Sequence, residues 1–210
     1  MVAGGSGRRF GGLKQFATVG DRPLVAWSIA AARSVSDGVV LVVPADVPGG
    51  ARESVGAAGA DAVVPGGATR AGSVRAGLAA VPGEAEVVLV HDGARPLATP
   101  DLFRAVLVAL EGADGAVPVV PVADTLRRQH GAVLADTVDR TGLVAVQTPQ
   151  GFRAAALRRA HAGGPEATDD AALVERSGGS VVTVPGEATN LKVTGPDDLV
   201  VAAALLAAAR

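Results

Sequence analysis

The sequence predicts an α/β protein, built as a Rossmann-like, mostly parallel sheet sandwiched by helices, with a protruding β-arm. Three observations lead there. Short, continuous β-branched runs recur along the first 122 residues, as expected of strands buried on both faces of a parallel sheet. Helical stretches separate them, which is the βαβ alternation of layered α/β proteins. After residue 123 the alternation stops, and a segment of strand character follows without a long helix.

In chain order, the predicted strands are "GVVLVV" (38–43), "DAVVP" (61–65), "EVVLV" (86–90) and "GAVPVVPV" (115–122). The helices between them cover 22–35, 69–81 and 99–112, with Thr99 as N-cap and Pro100 at the first helical position. Residues 125–148 read as a β-arm, too apolar and too regular for a linker. Helices return at 153–163 and 168–178, the second capped by Thr168, with Asp169 and Asp170 at its positive dipole end. A strand at 180–186, the stretch "NLKVT" (190–194) and a helix from Pro196 close one domain spanning 1–210. Ligands of such sheets gather beyond the carboxyl ends of the strands.

Composition narrows the function. A net charge of −2 argues against a nucleic-acid binder held by a basic surface. With no cysteine, disulfides and thiolate metal sites are excluded, and a cytoplasmic location is the expectation. The apolar run "LVVAAALLAAA" is about half a bilayer span and reads as an alanine-rich helix, so no membrane partner is expected. Only "MVA" precedes the glycine loop, whereas a sheet-interior strand wants about five residues, so a shortened N-terminus is expected.

The loop "VAGGSGRRFGGLKQF" (2–16) combines glycines with Arg8, Arg9 and Lys14. A dinucleotide fingerprint fails because Phe10 stands where the third glycine belongs, and a Walker A loop fails because Leu13 and Lys14 follow Gly12. A nucleotidyltransferase loop remains, in which backbone N–H groups cradle a triphosphate and cations answer its charge. A solvated tail with incidental arginines is the competing reading.

The motifs "AGGSGRRFGGLKQF", "PGGATRAGSVRAGL", "VLVHDGARP", "DTVDRTGL", "QTPQGF", "TDDAALVE" and "TNLKVTGPDDL" occur in this order over essentially the whole chain. In this the sequence resembles the 2-C-methyl-D-erythritol 4-phosphate cytidylyltransferases of the non-mevalonate isoprenoid pathway. The ribitol-5-phosphate cytidylyltransferases share most of the motifs. The resemblance implies a fold of nucleotidyltransferase type and transfer of CMP from CTP to 2-C-methyl-D-erythritol 4-phosphate, with ribitol 5-phosphate as the alternative acceptor, pyrophosphate leaving and Mg²⁺ as cofactor. It implies Arg9 and Lys14 as transition-state stabilisers, and Ala3, Gly4, Gly5 and Gly7 as the backbone cradle. Gly67, Arg70 and Ser73 match the cytosine and ribose segment. Asp92 and Arg95 match the polyol site, with Asp92 also the metal ligand. Arg140 and Lys192 match residues that position the substrate phosphate, and Thr148 and Thr168 match further substrate contacts. It also implies a homodimer in which each arm carries its arginine to the other subunit's active site. Gly4 and Ala68 depart from the family pattern, and His91 reads as a packed neighbour.

Two other readings stand against this one. A sugar-nucleotide glycosyltransferase typically needs D-x-D for its metal, and "HDGAR" supplies one aspartate. A non-catalytic nucleotide-binding relative is opposed by the intact Arg9, Lys14, Asp92, Arg140 and Lys192.

Overall fold

The computed structural model describes residues 1–5, 10, 12–47 and 58–208. After a 3₁₀ turn at Lys14–Phe16 come β1 (Thr18–Val19), β2 (Arg22–Pro23), α1 (Leu24–Arg33), β3 (Val40–Val43) and β4 (Ala62–Pro65). Then follow α2 (Arg70–Ala79), β5 (Val87–Val90), α3 (Pro100–Ala109) and β6 (Gly115–Pro121). The arm region holds β7 (Leu126–His130), β8 (Val133–Val138) and β9 (Val144–Val146). The chain closes with β10 (Gln150–Arg153), α4 (Ala154–His161), α5 (Asp170–Arg176), β11 (Val181–Pro185) and α6 (Pro196–Ala208).

Backbone pairing runs across the molecule. β4 and β3 are parallel, and Val2 bridges in parallel to both Val42 and Asp92, which links β3 to β5. β10 lies antiparallel between β5 and β6, and β11 runs parallel to β6. The predicted parallel strands therefore point one way, with β10 running against them. Read from the sequence, "QTPQGF" was a motif and no strand. β9 and β10 both run antiparallel to β6, opposite its residues 119–121 and 115–116, so with only Gln147–Pro149 between them β10 continues the line of β9 in the same direction.

Both faces of the sheet are covered. On one, Val25 and Ile29 of α1 and Leu102 and Phe103 of α3 pack on Leu41 and Val43. On the other, Val74 of α2, Leu157 of α4 and Leu173 and Val174 of α5 pack around Phe152, Val90 and Val117. With so few aromatics, Phe103 and Phe152, both wholly buried, are the largest side chains of this core.

Helix starts follow the expected chemistry with one correction. The Thr99 and Thr69 hydroxyls accept from the N–H groups of Leu102 and Gly72. The cap of α5, however, is Asp169, which accepts from Ala172 N at 3.0 Å, so Thr168 lies outside the helix. Asp170 thereby becomes the first helical residue and turns wholly inside.

The arm is smaller than 125–148. β7 and β8 form a two-stranded hairpin with Gly131 at φ 60° in its turn, a left-handed conformation that favours glycine. β9 instead pairs with β6, Val146 opposite Val119, and belongs to the main sheet.

Residues 1–3 occupy the position between β3 and β5. Val2 N donates to His91 O, Ala3 N to Val42 O, and the terminal ammonium to Val40 O. Burial pushes that ammonium down to about 6. Alongside Met1, a cavity of about 990 Å³ runs between the strands, lined by Val40, Val88, Val74, Leu107 and Leu157 among others. No helix among the described residues is long and apolar enough to cross a membrane.

Candidate active site

Asp92 stands just past the carboxyl end of β5, where the parallel strands open toward ligand. It is 8 % exposed, and its Oδ2 accepts from Lys192 Nζ at 2.7 Å. Arg70 Nε lies 3.9 Å from Oδ1. Burial pushes the Asp92 carboxyl up, but the Lys192 ammonium, with Arg70, outweighs it and holds the group below its usual range.

Three buried side chains brace the Asp92 backbone and its surroundings. The Thr148 hydroxyl accepts from Asp92 N and meets His91 Nδ1, each at 3.0 Å. His91 Nε2 in turn faces Arg95 O at 3.2 Å, so a neutral imidazole protonated on Nε2 satisfies both ring nitrogens. Burial, foremost, pushes His91 down to about 4. Asn190, wholly buried, donates to Thr148 O and Gln147 Oε1, and this anchors the loop that carries Lys192.

In front of Asp92 opens a cleft of about 540 Å³. It brings together Ala3, Gly4, Gly5, Lys14, Gly67, Arg70, Ser73, Asp92 and Lys192. Lys14 Nζ donates to Val193 O at 2.6 Å, and the Ser73 hydroxyl donates to Thr69 O at 2.9 Å, one helical turn back. Glycine is required at 67, because a Cβ there would stand 2.8 Å from the backbone of Gly72. Three cations and one carboxylate on a cleft floored by glycine backbone make a site for a polyphosphate anion.

Other expected residues are placed elsewhere. Thr148 is 4 % exposed with its hydroxyl engaged behind Asp92, and Arg95 donates to Asn190 O at 2.6 Å outside the cleft lining. Thr168 is exposed and off the cleft. Arg140 donates to Val122 O and Ala123 O, just after β6 of its own chain, and does not line this cleft. Gly7 and Arg9, like Arg8, lie outside the described residues.

Two further groups stand in or behind the cleft in positions that their sequence context does not give away. Asp170 is wholly buried against Arg70 and His161, and Gln15, 3 % exposed, lines the cleft beside Lys14. For Asp170 the only signal was its place in "TDDA", which cannot tell which aspartate caps and which turns inward.

A mostly parallel sheet, a glycine cradle following the residues that bridge β3 and β5, and cations gathered on a carboxyl-edge aspartate define a nucleotidyltransferase. Residues 1–208 match the model of the 2-C-methyl-D-erythritol 4-phosphate cytidylyltransferase family, and the chain belongs to that family. Two proteins of that name are similar over nearly the full length. That of Deinococcus radiodurans is 47 % identical, covering 98 % of this chain and 87 % of its own, and that of Rubrobacter xylanophilus is 43 % identical, covering 99 % and 94 %. The crystal structure of the Thermus thermophilus enzyme superposes with a TM-score of 0.83 at 41 % identity, covering 98 % of this chain and 96 % of that one.

Proposed function

We propose that this cleft transfers CMP from CTP to the phosphate of 2-C-methyl-D-erythritol 4-phosphate, releasing pyrophosphate. The observation that carries the reading is the gathering of Lys14, Arg70 and Lys192 on one glycine-floored cleft around Asp92. A phosphate oxygen of the substrate attacks the α-phosphorus, and the bond from that phosphorus to the bridging oxygen breaks. The electron pair leaves on pyrophosphate. No covalent enzyme intermediate is needed, so the residues act by position and charge. The glycine backbone cradles the phosphates, Lys14 meets the charge that grows on them, and Lys192 and Arg70 keep the Asp92 carboxylate ionised. Arg9 completes the loop's cationic set.

Among the described residues no group of three His, Cys, Asp or Glu could hold a metal ion. One carboxylate beside a phosphate site fits Mg²⁺, which is commonly held by one or two carboxylates plus substrate phosphates. Asp92 would hold it, and the ion would supply charge neutralisation to the departing pyrophosphate.

The protein acts as a homodimer in this reading, with Arg140 serving the neighbouring cleft. Support comes from the arm's apolar surface. Val133 and Leu134 of the hairpin are 68 % and 61 % exposed, and Leu143, Val144 and Val146, in and beside β9, are exposed as well. An isolated hairpin is marginal in water and needs such a covering surface.

Pyrophosphate release with CTP and Mg²⁺ tests the activity, using methylerythritol phosphate and ribitol 5-phosphate in parallel. Turnover is expected with the first at much higher kcat/KM. Equal or better turnover of ribitol 5-phosphate, or none with either, would overturn the assignment.

A further inference from the structure

Behind the cleft, Arg70 also meets buried Asp170, itself paired with buried His161, and the reaction chemistry uses neither of the two. The Asp170 side chain is wholly buried at the first turn of α5. Its Oδ2 lies 2.8 Å from Arg70 Nη1 and its Oδ1 lies 2.9 Å from His161 Nε2. Arg70 is thus shared between two carboxylates: Asp170 behind it at 2.8 Å and Asp92 across the cleft at 3.9 Å. The segment carrying Asp170 is itself tied to the start of α2. Glu166 Oε1 accepts from the Thr69 hydroxyl and from Arg75 Nη2, each at 2.9 Å, and Arg75 Nη1 donates to Pro165 O.

We propose that Asp170, steadied by His161, is the positioning residue that holds Arg70 in the nucleotide cleft, near enough to Asp92 to act on its charge but out of direct hydrogen-bond contact with it. This rests on the reading that Arg70 faces CTP. A buried carboxylate is costly without a partner, and the close Asp170 Oδ2–Arg70 Nη1 ion pair, which lacks hydrogen-bond alignment, holds the guanidinium by charge. Without that anchor the nearest anion left to Arg70 is Asp92, and closing on it takes the guanidinium from the nucleotide.

CTP binding measured calorimetrically without the polyol substrate, together with steady-state kinetics, tests this in Asp170→Asn, Arg70→Gln and the double variant. Asp170→Asn is expected to weaken CTP binding on the order of tenfold. KM for CTP should rise in step while kcat at saturating CTP changes little. In the Arg70→Gln background the same substitution should cost nothing further. A loss of equal size in both backgrounds, or unchanged CTP binding in a folded Asp170→Asn protein, would overturn the proposal. If Asp170→Asn alone does not fold, the charge-balanced double variant is compared with Arg70→Gln. Equal affinity supports the coupling, and a further loss refutes it. Arg70→Gln binding CTP as well as the unaltered protein would remove the reading of Arg70 itself, whereas a weakened Arg70→Gln with an unaffected Asp170→Asn would remove only the role of Asp170.

Discussion

Lys14 and His91 show two ways in which single side chains serve this cleft. Lys14 reaches its edge from the 3₁₀ turn, oriented by the Val193 carbonyl. If it meets charge that grows in the transition state, Lys14→Ala should lower kcat roughly 10²–10³-fold, the range for losing one such stabilising donor. KM for CTP should change far less, since only contacts stronger in the transition state act on kcat. A variant that loses CTP affinity with kcat preserved would contradict the role. His91 works from behind, as a neutral strut for Thr148 and Asp92. Its folded pKa of about 4 lies below the unfolded value of about 6.5, so the unfolded chain takes the proton first as pH falls. The stability tied to neutral His91 is therefore intact above about pH 6.5 and lost progressively down to about pH 4. Urea unfolding at pH 7 and pH 4.5 should show the unaltered protein losing about 2–3 kcal/mol more than His91→Gln. Equal losses would mean that His91 is not held neutral.

At the scale of elements, the position between β3 and β5 is filled by residues 1–3 and then by the cavity alongside Met1. Apolar side chains from both flanking strands and from α2, α3 and α4 line that cavity. An engineered extension of three or four valines ahead of Met1 should continue the strand into it. Each buried valine is worth about 1.5 kcal/mol or more, so the melting temperature should rise by several degrees. A serine–glycine extension of equal length is the control, and no difference between the two would show that the cavity does not take a strand. The central strands and helices were legible because their patterns are local: β-branched runs, a Thr–Pro helix start and apolar stripes. β10 was not, since "QGFR" carries a glycine and an arginine and becomes a strand only through its neighbours β5 and β6. The cap of α5 was misread by one residue because Thr168 and Asp169 are both good caps. The choice falls to Asp169 once Asp170 has to reach Arg70 and His161.

For the whole molecule, the arm and the cleft belong to one argument. The cleft residues lie far apart in sequence, from Ala3 to Lys192, and no spacing rule joins them. Their grouping was readable only through the resemblance of ordered motifs. The roles of Thr148 and Arg95 were blurred because sequence cannot tell a side chain facing the cleft from one bracing it. In the dimer reading, Arg140 of one subunit serves the Lys14 of the other. Mixing Lys14→Ala with Arg140→Ala chains should then restore activity, because one site of each heterodimer is intact while the other carries both lesions. Demonstrated heterodimers with no recovered activity would place both residues in the same chain's site. Most directly, the account stands on Asp92 as the centre of the cleft. The measurement is the rate of CTP-dependent pyrophosphate release for Asp92→Asn, with folding verified by circular dichroism. Loss of the carboxylate should lower kcat/KM by roughly a hundredfold or more, as expected when a preorganised charge is removed from a phosphoryl-transfer site. A folded Asp92→Asn protein that turns over at close to the unaltered rate would contradict the account.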